Sequence, residues 1–80
     1  MFYVYALRSL TRNYIYVGLT NNLERRMYQH NNGLNPTTKP YAPFDLIWSG
    51  TFLTRIEARK KEKYLKSGDG KGFLRALRSS

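Results

Sequence analysis

Two short segments near the start of the chain, both rich in aromatic and β-branched residues, constrain the fold more than any other feature. They cover residues 2–7 (FYVYAL) and 14–19 (YIYVGL), and a short polar stretch separates them. This arrangement predicts a β-hairpin. Because side chains alternate along a strand, one face of the hairpin carries four of the seven tyrosines. This tyrosine face consists of Tyr3, Tyr5, Tyr14, Tyr16 and Gly18.

The four tyrosines admit two interpretations. Aromatic pairs across strands stabilise sheets, and packing is the usual role of a single strand tyrosine. Phenolic hydroxyls beside a glycine, where a ligand can approach the backbone closely, are also suited to binding phosphate or passing on a proton. Both interpretations stay open at this stage.

The segment after the hairpin predicts a helix capped by Asn21 or Asn22 and ended by an Asn-Gly pair. His30 follows Leu23 by seven residues and therefore lies on the same inward stripe. Arg26 precedes His30 by four residues, so the two side chains meet. A histidine beside a guanidinium group suits proton exchange next to a phosphate, although a lone interior histidine more often only hydrogen-bonds.

All three prolines fall in residues 36–43, which indicates a loop longer than most connections. Residues 45–53 (DLIWSGTFL) then predict a third strand with a bulge or bend near Gly50.

A second helix opens at Thr54, since Glu57 stands at the spacing of a capping box, and extends to about Lys66. Glu62 shares the inward stripe of this helix with Ala58, and we expect that stripe to meet the tyrosine face. Lys66, four residues on, could pair with Glu62 in an ordinary salt bridge. Alternatively, Glu62 could hold a Mg²⁺ ion together with waters and a substrate phosphate.

Residues 67–72 predict a turn, and the apolar residues that follow predict a short final helix. The element order is therefore ββαβαα. It predicts an α+β fold in which helices flank a three-stranded antiparallel sheet.

The charge of the chain is strongly basic, with 14 Lys and Arg against 5 Asp and Glu, a formal charge of +9. Nine basic and three acidic residues lie in residues 55–80. This segment predicts binding to a polyanion such as DNA, although a basic helix can also be only a solvated face. The predicted nucleic-acid contacts are Arg25, Lys60, Lys61, Lys63 and Lys71.

Length and composition narrow the class of protein further. Eighty residues are enough for one domain, covering residues 1–80, and the absence of cysteine excludes disulfides and thiolate metal sites. The longest apolar run, residues 2–7, is far too short to span a membrane. We expect a soluble cytoplasmic protein with no membrane contact.

Several motifs together resemble the GIY-YIG nuclease domain. They are the tripeptides YVY (residues 3–5) and YVG (residues 16–18), followed by Arg26, His30 and Glu62. More closely, the chain is similar to the small stand-alone bacterial members of that superfamily, the UPF0213 or YhbQ-like group. The resemblance covers nearly the whole chain, and it implies a three-stranded antiparallel sheet and a single-metal phosphodiesterase mechanism.

The resemblance also implies roles for individual residues. Tyr5 and Tyr16 would lie at the scissile phosphate, where one of them activates or positions the attacking water, and Gly18 would allow close packing beside them. Leu19 stands where some nucleases of the superfamily carry a lysine that helps to form a phenolate.

The charged residues have implied roles as well. Arg26 would stabilise the phosphorane-like charge, His30 would transfer a proton or contact the phosphate, and Glu62 would hold one Mg²⁺ or Mn²⁺ ion.

Three functions are consistent with these observations. The first is a metal-dependent DNA endonuclease acting on nicked, branched or otherwise distorted DNA in repair or recombination. The second is a non-catalytic module that binds single strands on its aromatic and basic surface. The third is a small protein-interaction adaptor. Whether a partner protein supplies targeting stays open.

Overall fold

The computed structural model of the protein describes residues 1–78 and contains the predicted series of strands and helices. The order ββαβαα is confirmed. The elements are β1 (Phe2–Ser9), β2 (Ile15–Thr20), α1 (Leu23–Asn31), a single 3₁₀ turn (Lys39–Tyr41), β3 (Phe44–Phe52), α2 (Arg55–Lys66) and α3 (Gly68–Arg78). Within the described residues, no helix has the length and apolar character needed to cross a membrane.

The three strands form one antiparallel sheet, as predicted, and the structure shows that their order in the sheet is β2-β1-β3. β1 is the central strand and pairs with both β2 and β3. β2, the other strand of the predicted hairpin, therefore lies at an edge of the sheet. The bulge lies at Ile47, because Ala6 pairs with Trp48 while the next residue of β1 pairs with Leu46. Its predicted position near Gly50 is wrong. Gly50 pairs in register, and the ring of Trp48 lies 2.7 Å from where a Cβ at this position would be, so the glycine makes room for that ring.

The two faces of the sheet carry different layers. One face packs its small and aliphatic residues, such as Val4 and Ala6, against Ala58 and Leu65 of α2 and against α3. The tyrosine face packs instead against α1 and the loop before β3. The expectation that the inward stripe of α2 would meet the tyrosine face is therefore wrong, because α2 covers the opposite side of the sheet.

Two of the predicted helix starts are confirmed by side-chain caps. The Asn22 side chain accepts a hydrogen bond from the backbone N–H of Arg25 at 3.0 Å, and Thr54 accepts one from the N–H of Glu57 at 3.2 Å. These caps set where α1 and α2 begin. They also fix which side chains of each helix reach the edge of the sheet at β2.

The predicted turn over residues 67–72 is wrong, because α3 begins at Gly68 directly after Ser67. Gly70, which suggested a turn, is buried inside the helix. A Cβ there would lie well inside contact distance of the Tyr64 carbonyl and the Leu65 Cα. The glycine therefore allows α3 to pack closely on the end of α2 rather than to break a helix.

Candidate active site at the edge of strand β2

A polar cleft of about 430 Å³ opens where the end of β2 meets α1 and α2. Arg26 reaches it from α1, and Glu62 reaches it from α2 on the other side of the sheet. The two residues come together because β2 is an edge strand, so helices on opposite faces can both extend past it. The other charged side chains of the cleft are Arg55, Arg59 and Lys66.

Tyr5 lies on the central strand directly opposite Gly18 of β2. A Cβ at position 18 would lie inside contact distance of the Tyr5 hydroxyl and 2.9 Å from the ring of Tyr16. The Tyr5 ring therefore crosses the edge strand at the one residue without a side chain. Gly18 provides the close packing that the sequence led us to expect there.

His30 is fully buried and uses both ring nitrogens. Its Nε2 lies 3.0 Å from the Tyr5 hydroxyl, and its Nδ1 lies 2.8 Å from the hydroxyl of Thr38. The ring of Tyr16 packs on it with the ring centres 5.0 Å apart. The histidine is thus connected to the tyrosine hydroxyl and held from its far side.

The groups around His30 and Tyr5 determine the protonation state of both side chains. Burial lowers the pKa of His30, and the nearby Arg26 cation lowers it further. The imidazole is therefore neutral at pH 7, with one nitrogen donating and the other accepting. This distribution of roles allows it to accept a proton from a neighbour.

Burial also raises the pKa of Tyr5, and the neighbouring Tyr16 adds to the increase. Arg26 lowers the pKa of Tyr5, while Glu62 raises it, so both charged residues of the cleft act on this hydroxyl. The net result is that Tyr5 keeps its proton at neutral pH.

Glu62 is partnered on both carboxylate oxygens. Oε1 lies 3.6 Å from Nε of Arg59, and Oε2 lies 3.3 Å from Nζ of Lys66. The predicted salt bridge to Lys66 is therefore present. Both cations have side chains that are 55% exposed, whereas that of Glu62 is 15% exposed, so these pairs hold the carboxylate at the cleft without strong binding.

The donor set at Glu62 fits a hard divalent cation. Within residues 1–78 there is no group of three or more histidine, cysteine or acidic side chains that could enclose a metal. Mg²⁺ commonly binds through one or two carboxylates, several waters and a substrate phosphate. A single carboxylate in a cleft of about 430 Å³ matches that mode of binding. Glu57, in contrast, belongs to the start of α2, where its N–H is bound by the Thr54 cap.

The tyrosines predicted to share one face of the hairpin have different surroundings in the structure. Tyr5 and Tyr16 lie beside His30, with their ring centres 6.2 Å apart. Tyr14 stacks on Tyr41 with ring centres 3.9 Å apart, which is a packing arrangement.

The predicted nucleic-acid contacts lie outside the residues that line the cleft. Lys60 and Lys63 are on the outer surface of α2, and Lys61 extends over the rings of Trp48 and Tyr64 toward β3. Arg25 is exposed on α1. Lys71 faces a separate groove beside α3.

Reasoning from sequence did not place Arg55 and Arg59 in the cleft, and it considered Lys66 only as a salt-bridge partner of Glu62. They stand seven and three residues before Glu62 and four residues after it. Those spacings place all three on the helix face of Glu62. The same periodicity would therefore have identified them once Glu62 had been chosen as the reference residue.

A family model matches most of the chain. The GIY-YIG catalytic domain matches residues 1–73. The chain therefore belongs to the GIY-YIG nuclease superfamily, as its motifs predicted.

Within the superfamily, the chain is similar to proteins of the UPF0213 group. UPF0213 protein CPE1444 of Clostridium perfringens is 39% identical over 67 residues, which are 82% of this chain and 71% of that protein. UPF0213 protein VPA1222 of Vibrio parahaemolyticus is 38% identical over 64 residues, which are 79% of this chain but only 59% of that protein. The solution NMR structure of UPF0213 protein BH0048 from Bacillus halodurans is similar over 96% of this chain and 85% of that one, with 31% identity and a TM-score of 0.56.

Proposed function

We propose that the protein is a metal-dependent endonuclease that hydrolyses phosphodiester bonds in DNA and acts on nicked, branched or otherwise distorted DNA in repair or recombination. The observation that carries this proposal is the meeting of Arg26 and Glu62 in one cleft, within electrostatic range of the hydroxyl that His30 binds. The reaction needs an arginine that binds phosphate, a carboxylate and a pair of residues that transfers a proton.

The cations of the cleft position the substrate. The guanidinium of Arg26 presents a planar fork of N–H donors that matches phosphate oxygens and stabilises the additional negative charge of the transition state. Arg55, Arg59 and Lys66 make the cleft strongly cationic around a single acid. This charge distribution favours a polyanionic strand over a neutral or cationic ligand.

Glu62 holds the metal in this proposal, Mg²⁺ or Mn²⁺. When bound, such an ion polarises a phosphate oxygen and neutralises developing negative charge. The weak pairs with Arg59 and Lys66 hold the Glu62 carboxylate in place at the cleft.

Tyr5 and His30 move the proton. The water oxygen attacks phosphorus while its proton passes to the Tyr5 hydroxyl, the Tyr5 proton passes to Nε2 of His30, and the bond from phosphorus to the leaving oxygen breaks. A neutral histidine 3.0 Å from the hydroxyl allows Tyr5 to act as a relay without first becoming a phenolate. This route is consistent with Leu19 in place of a lysine. Tyr16 packs against both rings and maintains their spacing.

The proposal is tested by cleavage of supercoiled plasmid and of branched and nicked oligonucleotide duplexes, with Mg²⁺, with Mn²⁺ and with EDTA. Glu62→Gln keeps the shape of the side chain but removes its charge, so we expect it to abolish cleavage. Glu57→Gln is the matched control on the same helix and should leave cleavage unchanged. Equal cleavage by the two variants, or cleavage in EDTA, would exclude Glu62 as the metal ligand.

A non-catalytic single-strand-binding module is the second candidate. It is favoured by one observation, the pairing of both Glu62 oxygens with protein cations, which gives the carboxylate a structural role without any metal. Binding of oligonucleotides with no cleavage under any metal condition would favour this second function.

A further inference from the structure

Thr38 is a polar residue that is fully buried although it lies in the loop between α1 and β3. Its backbone is already engaged, because its N–H donates to the carbonyl of Asn35 at 3.2 Å and its carbonyl accepts from Tyr41 at 2.9 Å. The backbone contacts thus account for the conformation of this part of the loop. They do not account for a buried hydroxyl.

The hydroxyl oxygen of Thr38 lies within hydrogen-bond distance of His30, 2.8 Å from Nδ1. On the other side of the ring, Nε2 lies 3.0 Å from the hydroxyl of Tyr5. The three residues come from the loop, α1 and β1, so they form a continuous path from the interior of the protein to the proposed reacting group.

A neutral imidazole has one N–H and one lone pair, and their positions decide what His30 can do. If Nδ1 carries the hydrogen, Nε2 presents a lone pair to Tyr5 and can accept its proton. If Nε2 carries the hydrogen, it already donates toward Tyr5 and the relay is blocked. Both partners are hydroxyls that can donate or accept, but the phenol of Tyr5 is the more acidic and therefore the stronger donor, which favours the lone pair on Nε2.

We propose that Thr38 is a positioning residue, whose hydroxyl accepts the Nδ1 hydrogen of His30 and so directs the Nε2 lone pair toward Tyr5. This inference rests on the proposed function for the direction of proton transfer, but the tautomer itself exists without substrate or metal. The proposal thereby gives the loop that contains the three prolines, residues 36–43, a role in the site.

The test uses the fact that His30 is the only histidine in the chain. In a ¹⁵N-labelled sample without metal or DNA, long-range ¹H–¹⁵N correlations report which ring nitrogen is protonated. We expect Nδ1 to show the protonated type of signal and Nε2 the unprotonated type. Observation of the Nε2-protonated tautomer in the wild-type protein would overturn the proposal whether or not the protein cleaves DNA.

Variants of neighbouring threonines separate positioning from packing. Thr38→Val keeps the shape but removes the acceptor, so we expect the tautomer to shift toward Nε2 protonation and cleavage to fall about ten- to hundredfold, as for outer-shell partners of metal-bound histidines. Thr38→Ser should restore both properties. Thr37→Val makes the same change at an exposed neighbour and should alter neither.

Each outcome of the variant series is decisive. If Thr38→Val retains the wild-type tautomer and wild-type cleavage, Thr38 has no positioning role. If Thr38→Val does not fold, the Thr38→Ser variant must still show the wild-type tautomer, and failure to do so contradicts the proposal. If no variant and no wild-type protein cleaves DNA, the proposed function fails while the tautomer measurement still judges the inference.

Discussion

The proposed chemistry depends, at the scale of single residues, on the hydroxyl of Tyr5. It is buried over Gly18, keeps its proton at neutral pH, and has the neutral His30 as its hydrogen-bond partner. A tyrosine in this state works only if another group accepts its proton. In the proposed reaction, the pair of Tyr5 and His30, rather than either residue alone, is therefore the functional unit.

Tyr5→Phe removes one hydroxyl and leaves the ring that packs over Gly18. We expect cleavage to fall on the order of a hundredfold or more, because positioned proton transfer contributes that much to a rate. Tyr14→Phe is the matched control, since Tyr14 stacks on Tyr41 away from His30. Rates are measured on a nicked duplex in single-turnover conditions. Equal rates for the two variants would make Tyr5 a packing residue only.

His30 also predicts how stability depends on pH. Its pKa in the folded protein is lowered by burial, so the unfolded chain binds the proton more readily than the folded one. Stability is therefore complete above the unfolded pKa of about 6.5 and falls as the pH decreases through and below that value. The slope is at most about 1.4 kcal/mol per pH unit.

This dependence is measured by urea unfolding at several pH values between 7.5 and about 5, a range above the ordinary pKa of most carboxyl groups. His30→Gln cannot take up a proton, so its unfolding free energy should stay nearly level over the same range. An equal decline in both proteins would assign the effect to the acidic residues instead.

At the scale of secondary structure, the junction of α2 and α3 shows how one glycine changes the arrangement of a whole element. Gly70 is buried against the last turn of α2, whereas Gly72 lies two residues on in the same helix with nothing within 4 Å of a Cβ placed there. The two residues share a helix and differ only in their neighbours. Their substitution therefore separates packing from helix propensity.

Gly70→Ala should destabilise the protein by about 1–3 kcal/mol, since the added methyl group forces the helices apart. Gly72→Ala should instead stabilise it by about 0.5–1 kcal/mol, the usual advantage of alanine over glycine within a helix. Urea unfolding at one pH measures both. Stabilisation by both substitutions would mean that the two helices do not pack closely at Gly70.

At the scale of the whole molecule, the basic side chains are divided among separate surfaces. Lys66 lies between the cleft and a neighbouring groove of about 410 Å³ that runs along β2 and is lined by Lys71, Arg75 and Arg78 of α3. Among residues 1–78, no acidic side chain lines that groove. Lys60 and Lys63 lie on the outer surface of α2, in a groove that also includes Arg55 and Arg59. We expect a strand in the cleft to extend along β2 over Lys66 and Lys71 rather than onto the outer lysines.

The salt dependence of DNA binding distinguishes these surfaces. Each phosphate contact contributes about 0.9 to the slope of log affinity against log salt concentration for duplex DNA. We expect the double variant Lys66→Ala with Lys71→Ala to reduce the slope by about two. The double variant Lys60→Ala with Lys63→Ala removes the same charge from exposed lysines and should change the slope by less than one unit. Binding is measured by fluorescence anisotropy in EDTA, and the reverse order would place the DNA on the outer surface of α2.

From the sequence alone, the order of the elements and the candidate residues of the site could be derived. Alternation in residues 2–7 and 14–19, the caps at Asn22 and Thr54, and the spacing of Arg26 and His30 are local patterns. Local patterns follow from the geometry of one strand or one helix, which a sequence contains in full. For this reason the family, the three-stranded sheet and the tyrosine face were predictable.

The tertiary structure alone decided where the elements meet. It placed α2 on the face opposite the tyrosines, so that Glu62 reaches the site past the edge of β2 rather than across the sheet. It also placed the hydroxyl of Thr38 against His30, eight residues earlier in the chain. Gly70, which the sequence suggested as a turn residue, instead lies within α3 and packs against α2. These features depend on packing between different secondary-structure elements. Neither the hydrophobic period of one helix nor the turn propensity of one glycine specifies the surface that the residue will contact.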